Sequence, residues 1–301
     1  MIEKSPIPAF GPAAPPPFTS IVIPVYDQLP YTQQCLAAID AHTPRNAWEV
    51  IVVDNGSADG TPEWLSGVSL GNGQLRVIRN EVNRGFGPAC NQGMDAAKGD
   101  GILLLNNDAI VMGDWLSGLW GPLLQDSNGG MSGPITNFGR VTQVRRIPEP
   151  QNDKEAPAVL AEWRRVHASV YVPTDILSGF CLLITREVIE TLGGFDPCYG
   201  LGYFEDDDYS LRAKLAGFNL WICEGVLVYH HGAVTSRATG LAPSKVAHSS
   251  EKWAIFREKW RLPPDRQPHQ FTVEEIRRIW NDAPPLYVPL AGASMSRSRL
   301  G

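Results

Sequence analysis

Little in this chain points to a membrane, a nucleic acid or an oxidising compartment. No run comes near the ~20 apolar residues that span a bilayer as a helix. Met1 to Phe18 is rich in Pro and Ala and lacks the continuous apolar centre of a signal peptide, so an extended tail is expected there. Peripheral contact with a membrane stays open. Basic residues are outnumbered, 26 Lys and Arg against 32 Asp and Glu, so the basic face that nucleic acid needs is missing. Cysteine is scarce: Cys35, Cys90, Cys181, Cys198 and Cys223 are widely spaced, odd in number and form no C-x-x-C. That argues against a disulfide framework or a zinc site. Cys90, Cys181 and Cys223 lie in apolar stretches and read as core filler. The chain fits a reducing compartment, the cytoplasm, with placement at the inner face of a membrane left open. A dinucleotide fingerprint is missing too: Gly85-x-Gly87 has no third glycine and follows the third strand rather than the first.

What is present is the alternation of an α/β protein. With 43% hydrophobic residues over 301 positions, the chain can bury one large domain or two small ones. Apolar runs at Ser20 to Val25, Glu49 to Val53 and Gly101 to Leu105 predict buried strands, and Leu75 to Arg79 a further strand between the last two. Helices are predicted at Tyr31 to His42, from Thr61, at Gly87 to Ala97 and at Asp114 to Leu124, with Thr61 and Asp114 as N-caps. This order implies a mostly parallel sheet flanked by helices. Beyond Gly129 the pattern changes. An irregular charged stretch from Arg140 leads to a helix around Ala158 to Arg165, a strand over Ser178 to Thr185 and a helix over Arg186 to Leu192. A helix from Asp206 to Ala216 and a strand pair within Asn219 to Tyr229 follow. Helices at Lys245 to Trp260 and Thr272 to Trp280 precede a polar end from Ser294. Trp253, Trp260 and Trp280 stand at helical spacing and read as packing residues, with an interface role open.

Ligands of open α/β sheets gather at the carboxyl ends of the strands. Pro24-Val25-Tyr26, Asp54-Asn55 and Asn106-Asn107-Asp108 all sit at such ends. Asp54 can accept from a nucleobase N–H or a ribose hydroxyl, although Asp54-Asn55-Gly56-Ser57 reads equally as an ordinary turn. Asn83-Arg84-Gly85-Phe86 precedes a helix, where Arg84 and the helix N-terminus suit phosphate. Asp108 ends an apolar strand and suits Mn²⁺ or Mg²⁺, which bridge a carboxylate to substrate phosphates. His230 is the expected second ligand, because it shares a strand face with Val226 and Val228 while His231 points the other way. Glu205-Asp206-Asp207-Asp208 opens a helix. One acid there is simple capping, but four crowd like charges, which raises at least one pKa and suits a general base. Asp208 and Arg212, at i,i+4, are expected to pair structurally. Ser178, Gly179, Phe180 and Tyr203 are candidates for the acceptor side, since aromatic faces suit sugar rings and the glycines permit movement.

Taken together these motifs resemble family-2 glycosyltransferases of the GT-A fold, in particular a bacterial rhamnosyltransferase-like branch that builds surface polysaccharides. The matching stretches run from Thr19 to about Arg237. They are Ile23-Pro24-Val25-Tyr26, Val52 to Thr61, Asn83-Arg84-Gly85-Phe86, Leu105 to Asp108, Gly193-Gly194-Phe195-Asp196, Glu205 to Asp208 with Leu211-Arg212-Ala213, and His230. The resemblance implies a metal-assisted, inverting, single-displacement transferase. It would move a sugar from a UDP- or dTDP-type donor to a glycan or lipid-linked hydroxyl. Pro24, Val25, Tyr26, Asp54 and Asn55 would hold the nucleoside. Asn83, Arg84, Gly85 and Phe86 would line the diphosphate side. Asn106, Asn107 and Asp108 take the D-x-D position, with Asp108 on the metal. Asp206 would be the base, next to Glu205, and His230 the late metal or phosphate ligand. Asn106 stands where many relatives carry Asp, which lowers the charge offered to a cation. The implied organisation is a tail over 1–18, a transferase domain over 19–240 and a helical extension over 241–301. Within the domain, 19–125 is the nucleotide-binding half and 126–240 the acceptor or catalytic half. Two other classes stay open: a sugar-nucleotide pyrophosphorylase, and a non-catalytic nucleotide-sugar or glycan-binding module. The first wants a glycine-rich basic loop after the first strand, where this chain has Tyr26-Asp27-Gln28-Leu29-Pro30.

Overall fold

The computed structural model describes residues 16–45, 47–71, 73–140, 142–146, 156–232, 245–280 and 284–290. Most of the tail expected over 1–18, and the polar end from Ser294, lie outside the described residues. The strands are β1 (Thr19–Val25), β2 (Trp48–Asp54), β3 (Gln74–Arg79), β4 (Gly101–Leu105), β5 (Ala109–Val111), β6 (Gly129–Ile135), β7 (Tyr171–Thr174), β8 (Cys181–Thr185) and β9 (Asn219–His230). The helices are α1 (Leu29–His42), α2 (Thr61–Gly67), α3 (Phe86–Ala96), α4 (Trp115–Gln125), α5 (Ala156–His167), α6 (Arg186–Leu192), α7 (Glu205–Leu215), α8 (Lys245–Lys259) and α9 (Val273–Ile279).

One sheet of nine strands carries the molecule, in the order β3-β2-β1-β4-β8-β6-β9-β5, with β7 also on β9. β1 runs parallel to β2 and β4, and β2 parallel to β3. β1, β2 and β4 are buried on both sides because both faces are covered, whereas β3, at the sheet edge, is half-exposed. Ile21, Ile23 and Val25 pack with Cys35, Leu36 and Ile39 of α1 and Trp115, Leu116 and Leu119 of α4. Val22, Ile51 and Val53 pack with Ala89, Cys90 and Met94 of α3 and with residues of α6 and α7. At Gly93 a Cβ would come within 2.1 Å of Val22, so α3 lies flush on β1 only because that residue is glycine.

A third core joins α7 to the C-terminal helices: Tyr199, Phe204 and Leu211 pack with Trp253, Phe256 and Trp260 of α8 and its end, and with Val273 and Ile276 of α9. Trp253 and Trp260 are buried, and Trp280 meets Trp260 edge-on. The described cysteines are free, and only Cys198 is exposed.

The second half departs from the sequence reading in specific ways. β5, β6 and β7 were not foreseen. β6 reads Gly-Gly-Met-Ser-Gly-Pro-Ile and lacks a β-branched run, but its small residues suit a crowded place, and a Cβ at Gly130 would strike Phe218 and Val188. β7 carries Pro173 and pairs only with β9, an edge position that tolerates proline. The expected strand pair over Asn219 to Tyr229 is one strand of 12 residues. Glu224-Gly225 looks like a break but is a bulge: the partner of Pro134 is Cys223 and that of Ile135 is Leu227. The strand expected from Ser178 begins at Cys181. Thr61 is the first residue of α2, and Gly60, at φ 89°, occupies the cap. Asp114 precedes α4 without a capping bond and instead pairs with Arg164 of α5.

Candidate active site

The carboxyl ends of β2, β3 and β4 meet at one edge. Asp54, last in β2, is fully buried; its Oδ1 accepts the Ser57 N–H at 2.9 Å, while its Oδ2 makes no hydrogen bond and lies 3.7 Å from Arg79 Nε. Beyond this ion pair, a buried carboxylate oxygen that makes no hydrogen bond has room for a further donor. Beside it opens a cavity of about 430 Å³ lined by Gly56, Ser57, Arg79, Asn80 and Glu81. Val25, opposite Asp54 in the ladder, gives its carbonyl to the Asn55 N–H. Pro24 and Tyr26 flank it, half-buried.

Asn55 works differently from the nucleoside contact expected of it. Its amide donates to Asn83 Oδ1 and the Gly85 carbonyl, and its oxygen accepts from Asn80 Nδ2 and the Arg84 N–H. All four bonds of a carboxamide are thereby taken within the protein. Asn55 therefore shapes the loop that carries Asn83, Arg84 and Gly85. That loop ends at Gly85, φ 95°, where a Cβ would come within 2.4 Å of the Gly200 carbonyl. Phe86 then starts α3, its N–H bonded to the Leu201 carbonyl at 3.2 Å. Arg84 is exposed at this rim.

After β4 the three consecutive side chains diverge. Asn107 donates to Thr32 of α1 at 3.0 Å, which places it on the α1 side. Asn106 and Asp108 turn to His230. β5 pairs antiparallel with the end of β9, Ala109 opposite His230, and this register brings Asp108 against the imidazole. His230 Nε2 lies 3.1 Å from Asp108 Oδ1 and 3.3 Å from Asn106 Nδ2, and Nδ1 lies 3.2 Å from the Phe138 carbonyl. His231 is turned to the rings of Tyr31 and Tyr229. The Phe138 carbonyl can only accept, so Nδ1 carries a hydrogen and Nε2 is the nitrogen turned to the carboxylate oxygen. A nitrogen and a carboxylate oxygen facing each other in this way are bridged by a proton or a cation. A backbone carbonyl fixing the far nitrogen is also the usual support of a metal-binding histidine. The residues thus fit an oxygen- and nitrogen-ligated divalent cation. Among the described residues no third His, Cys, Asp or Glu joins them, so further ligands would come from substrate and water.

α7 supplies the acids. Asp208 is fully buried and structural: it accepts from Arg212 Nε at 2.9 Å, Tyr199 Oη at 3.2 Å, Lys259 Nζ and Trp260 Nε1. Asp207 is paired with Arg140 and lies 3.1 Å from His269 Nδ1. Burial alone would raise its pKa, but the His269 contact and the Arg140 charge outweigh it and hold the carboxyl below its ordinary value. Glu205 is 7% exposed, its Oε2 without a hydrogen bond, and burial together with Asp206 pushes it well above the carboxylate range. Asp206 is half-buried and forms no ion pair among the described residues. Its Oδ2 accepts the Gly179 N–H at 2.9 Å and its Oδ1 the Asp207 N–H at 3.0 Å. Desolvation and then the Asp207 charge raise its pKa to about 6.

These groups converge. Gly179 precedes Phe180, whose ring stacks on His230 with centroids 4.9 Å apart and whose carbonyl accepts the Asn106 N–H. Asp206 and Asp108 are therefore linked through Gly179, Phe180 and His230. A Cβ on Gly179 would also come within 3.3 Å of Phe86 and 3.4 Å of Asp206, which ties the loop after β3 to the acids. Ser178 is anchored through its N–H to Gln143 Oε1 at 2.8 Å. Tyr203 directly precedes the acid turn at φ 77°. Arg140, Gln143 and His269 were not singled out from sequence. Each acts across more than 30 residues, and no local pattern marks it.

Residues 20–193 match glycosyl transferase family 2. The chain is 25% identical over 274 residues to the N-acetylglucosaminyl-diphospho-decaprenol L-rhamnosyltransferase of Mycobacterium tuberculosis, covering 81% of this chain and 86% of that one. It is 26% identical over 268 residues to the uncharacterized protein y4gI of Sinorhizobium fredii, covering 84% of this chain and spanning only 28% of that relative's length. Among solved structures it superposes on GalNAc-T7 with UDP, GalNAc and Mn²⁺ at TM-score 0.58 and 19% identity, over 71% of this chain and 44% of that one.

Proposed function

The chain belongs to glycosyl transferase family 2 and has the GT-A fold, and from this premise we propose an inverting, single-displacement enzyme using a nucleoside-diphosphate sugar. The acceptor is the hydroxyl of a glycan or a lipid-linked saccharide, in the assembly of bacterial surface polysaccharide. One observation carries the reading. Among the described residues Asp206 is the one acid in the first turn of α7 that is half-buried rather than buried and forms no ion pair, and it adjoins the Gly179-Phe180 segment resting on His230 and Asp108.

The donor base would lie in the cavity lined by Gly56, Ser57, Arg79, Asn80 and Glu81, where Asp54 Oδ2, which makes no hydrogen bond, would accept the imide N–H that uracil and thymine share. This favours UDP or dTDP. Arg84 and the start of α3 face the diphosphate. A divalent cation, Mn²⁺ or Mg²⁺, held by Asp108 and His230, would neutralise the charge that develops on the leaving diphosphate. Mn²⁺ in the GalNAc-T7 structure supports that class of ion. Asp206, ionised above pH about 6, takes the proton of the acceptor hydroxyl. The acceptor oxygen forms its bond to the anomeric carbon as the bond to the diphosphate oxygen breaks, and the electron pair leaves with the nucleoside diphosphate. Glu205, whose carboxyl burial pushes well above the carboxylate range, stands at the same wall. Ser178, Phe180 and Tyr203 frame the acceptor side.

The relative named for a diphospho-decaprenol-linked sugar supports a lipid-linked acceptor. Among the described residues no helix is long and apolar enough to cross a membrane, so such an acceptor would be met at the membrane surface. The test is a panel of UDP-, dTDP- and GDP-sugars with Mn²⁺, reading release of the nucleoside diphosphate. Release from a UDP- or dTDP-sugar is expected. Binding without release from any donor would indicate a non-catalytic module.

A further inference from the structure

Cations reach the acids of α7 largely from the C-terminal helices. Lys259 contacts Asp208, and the charge of Lys252 acts on Glu205. His269, in the turn between α8 and α9, contacts Asp207. Its ring also lies against Phe204, centroids 5.4 Å apart and planes 14° from parallel. Phe204 matters because it delivers the acids. Tyr203 and Phe204 both hold left-handed backbone, φ 77° and 72°, immediately before Glu205. Side chains other than glycine keep that conformation only where packing enforces it. Here Trp253 and Phe256 of α8 and His269 close around the Phe204 ring.

We infer that His269 is a positioning residue for Asp206: from outside the matched segment 20–193 it clamps Asp207 and the Phe204 turn, and so sets where the base stands and how readily it holds its proton. His269 and Arg140 take opposite oxygens of Asp207, Oδ1 and Oδ2. The Arg140 charge and the His269 contact both lower the pKa of the carboxylate that adjoins Asp206. The groups facing Asp206 are Glu205 and Asp207 on its own helix, Arg140 from the loop after β6, and, one shell out, His269 and Lys252. Removing His269 leaves Asp207 less compensated, so Asp206 should keep its proton to higher pH.

The inference rests on Asp206 being the base, but its test needs no substrate. The full chain, labelled with ¹³C at aspartate carboxyls, is titrated by NMR, with Asp206→Asn assigning the Asp206 signal. The expected result is a rise of the Asp206 midpoint by about half a pH unit or more in His269→Ala. In an Asp207→Asn background the same change should have a clearly smaller effect, limited to what passes through the Phe204 contact, which a merely structural histidine would not produce. If the alanine variant fails to fold, His269→Gln, which keeps a donor without the charge, should move the midpoint the same way. An unmoved midpoint in a folded variant, or an equal shift with Asp207 neutralised, would overturn the inference. Failure of the donor panel would instead remove the catalytic reading and leave this titration standing.

Discussion

His230 Nε2 lies 3.1 Å from Asp108 Oδ1, although 122 residues separate them. The contact follows from the short ladder between β5 and β9, which sets Ala109 opposite His230. The Phe138 carbonyl then fixes the imidazole with Nε2 toward the carboxylate. Neither residue alone suggests a cation site; the proposal of one rests on their juxtaposition.

If the pair binds a cation together with a diphosphate, UDP should stabilise the protein more with Mn²⁺ than without it. At a hundredfold excess over Kd the gain is about 2.7 kcal/mol, or roughly 5–10 °C in melting temperature. Asp108→Asn and His230→Ala should each remove the metal-dependent part of the shift and leave the metal-free part. Thermal melts with UDP, Mn²⁺ and both together check this.

Asp206 titrates near 6 in the folded protein against 3.8 for an ordinary aspartate. Between these values the folded chain binds the extra proton, so this group's contribution to stability falls as pH rises from about 4 to 6, and the deficit persists at neutral pH. Asp206→Asn should therefore stabilise the protein at pH 7.5, by roughly 1–3 kcal/mol, and much less at pH 4. Urea denaturation at the two pH values measures the difference. The same titration gives the rate its sign: activity should fall about tenfold per pH unit below 6.

Asp54→Asn keeps an oxygen for the Ser57 N–H and can set an NH₂ where Oδ2 now lacks a partner. That group cannot accept the imide hydrogen of uracil but can donate to N3 of cytosine. UDP affinity should drop about tenfold or more while CDP affinity holds or rises. Isothermal titration with the two nucleotides decides it.

Asp208 compensates Arg212 and Lys259 in the buried part of the fold. Asp208→Ala leaves these charges and the Tyr199 and Trp260 donors unmatched, for a loss of about 3–5 kcal/mol in urea denaturation. The loss should not depend on nucleotide.

Much of the first half was legible in the sequence because its rules are local. Apolar runs ending in Asp54 and Asp108 became β2 and the β4–β5 turn, and the alternation of strands and helices set a parallel sheet. The second half was less legible because its strands are made by their neighbours. β6 has the composition of a turn, β7 holds a proline at an edge, and the bulge at Glu224-Gly225 resembles the end of one strand and the start of another. Side-chain commitments were also hidden. Asn55 spans β2 and the loop after β3 with four bonds, and Asn107 turns to Thr32. The partners of the acids, Arg140 and His269, come from 67 and 62 residues away from Asp207, distances over which sequence spacing carries no geometric information.

The most direct test of Asp206 as the base compares turnover and binding in one variant. With the donor that the wild type uses, Asp206→Asn should lower transfer by at least about a thousandfold, while nucleotide with Mn²⁺ still raises its melting temperature as in wild type. Wild-type turnover in that variant would contradict the assignment.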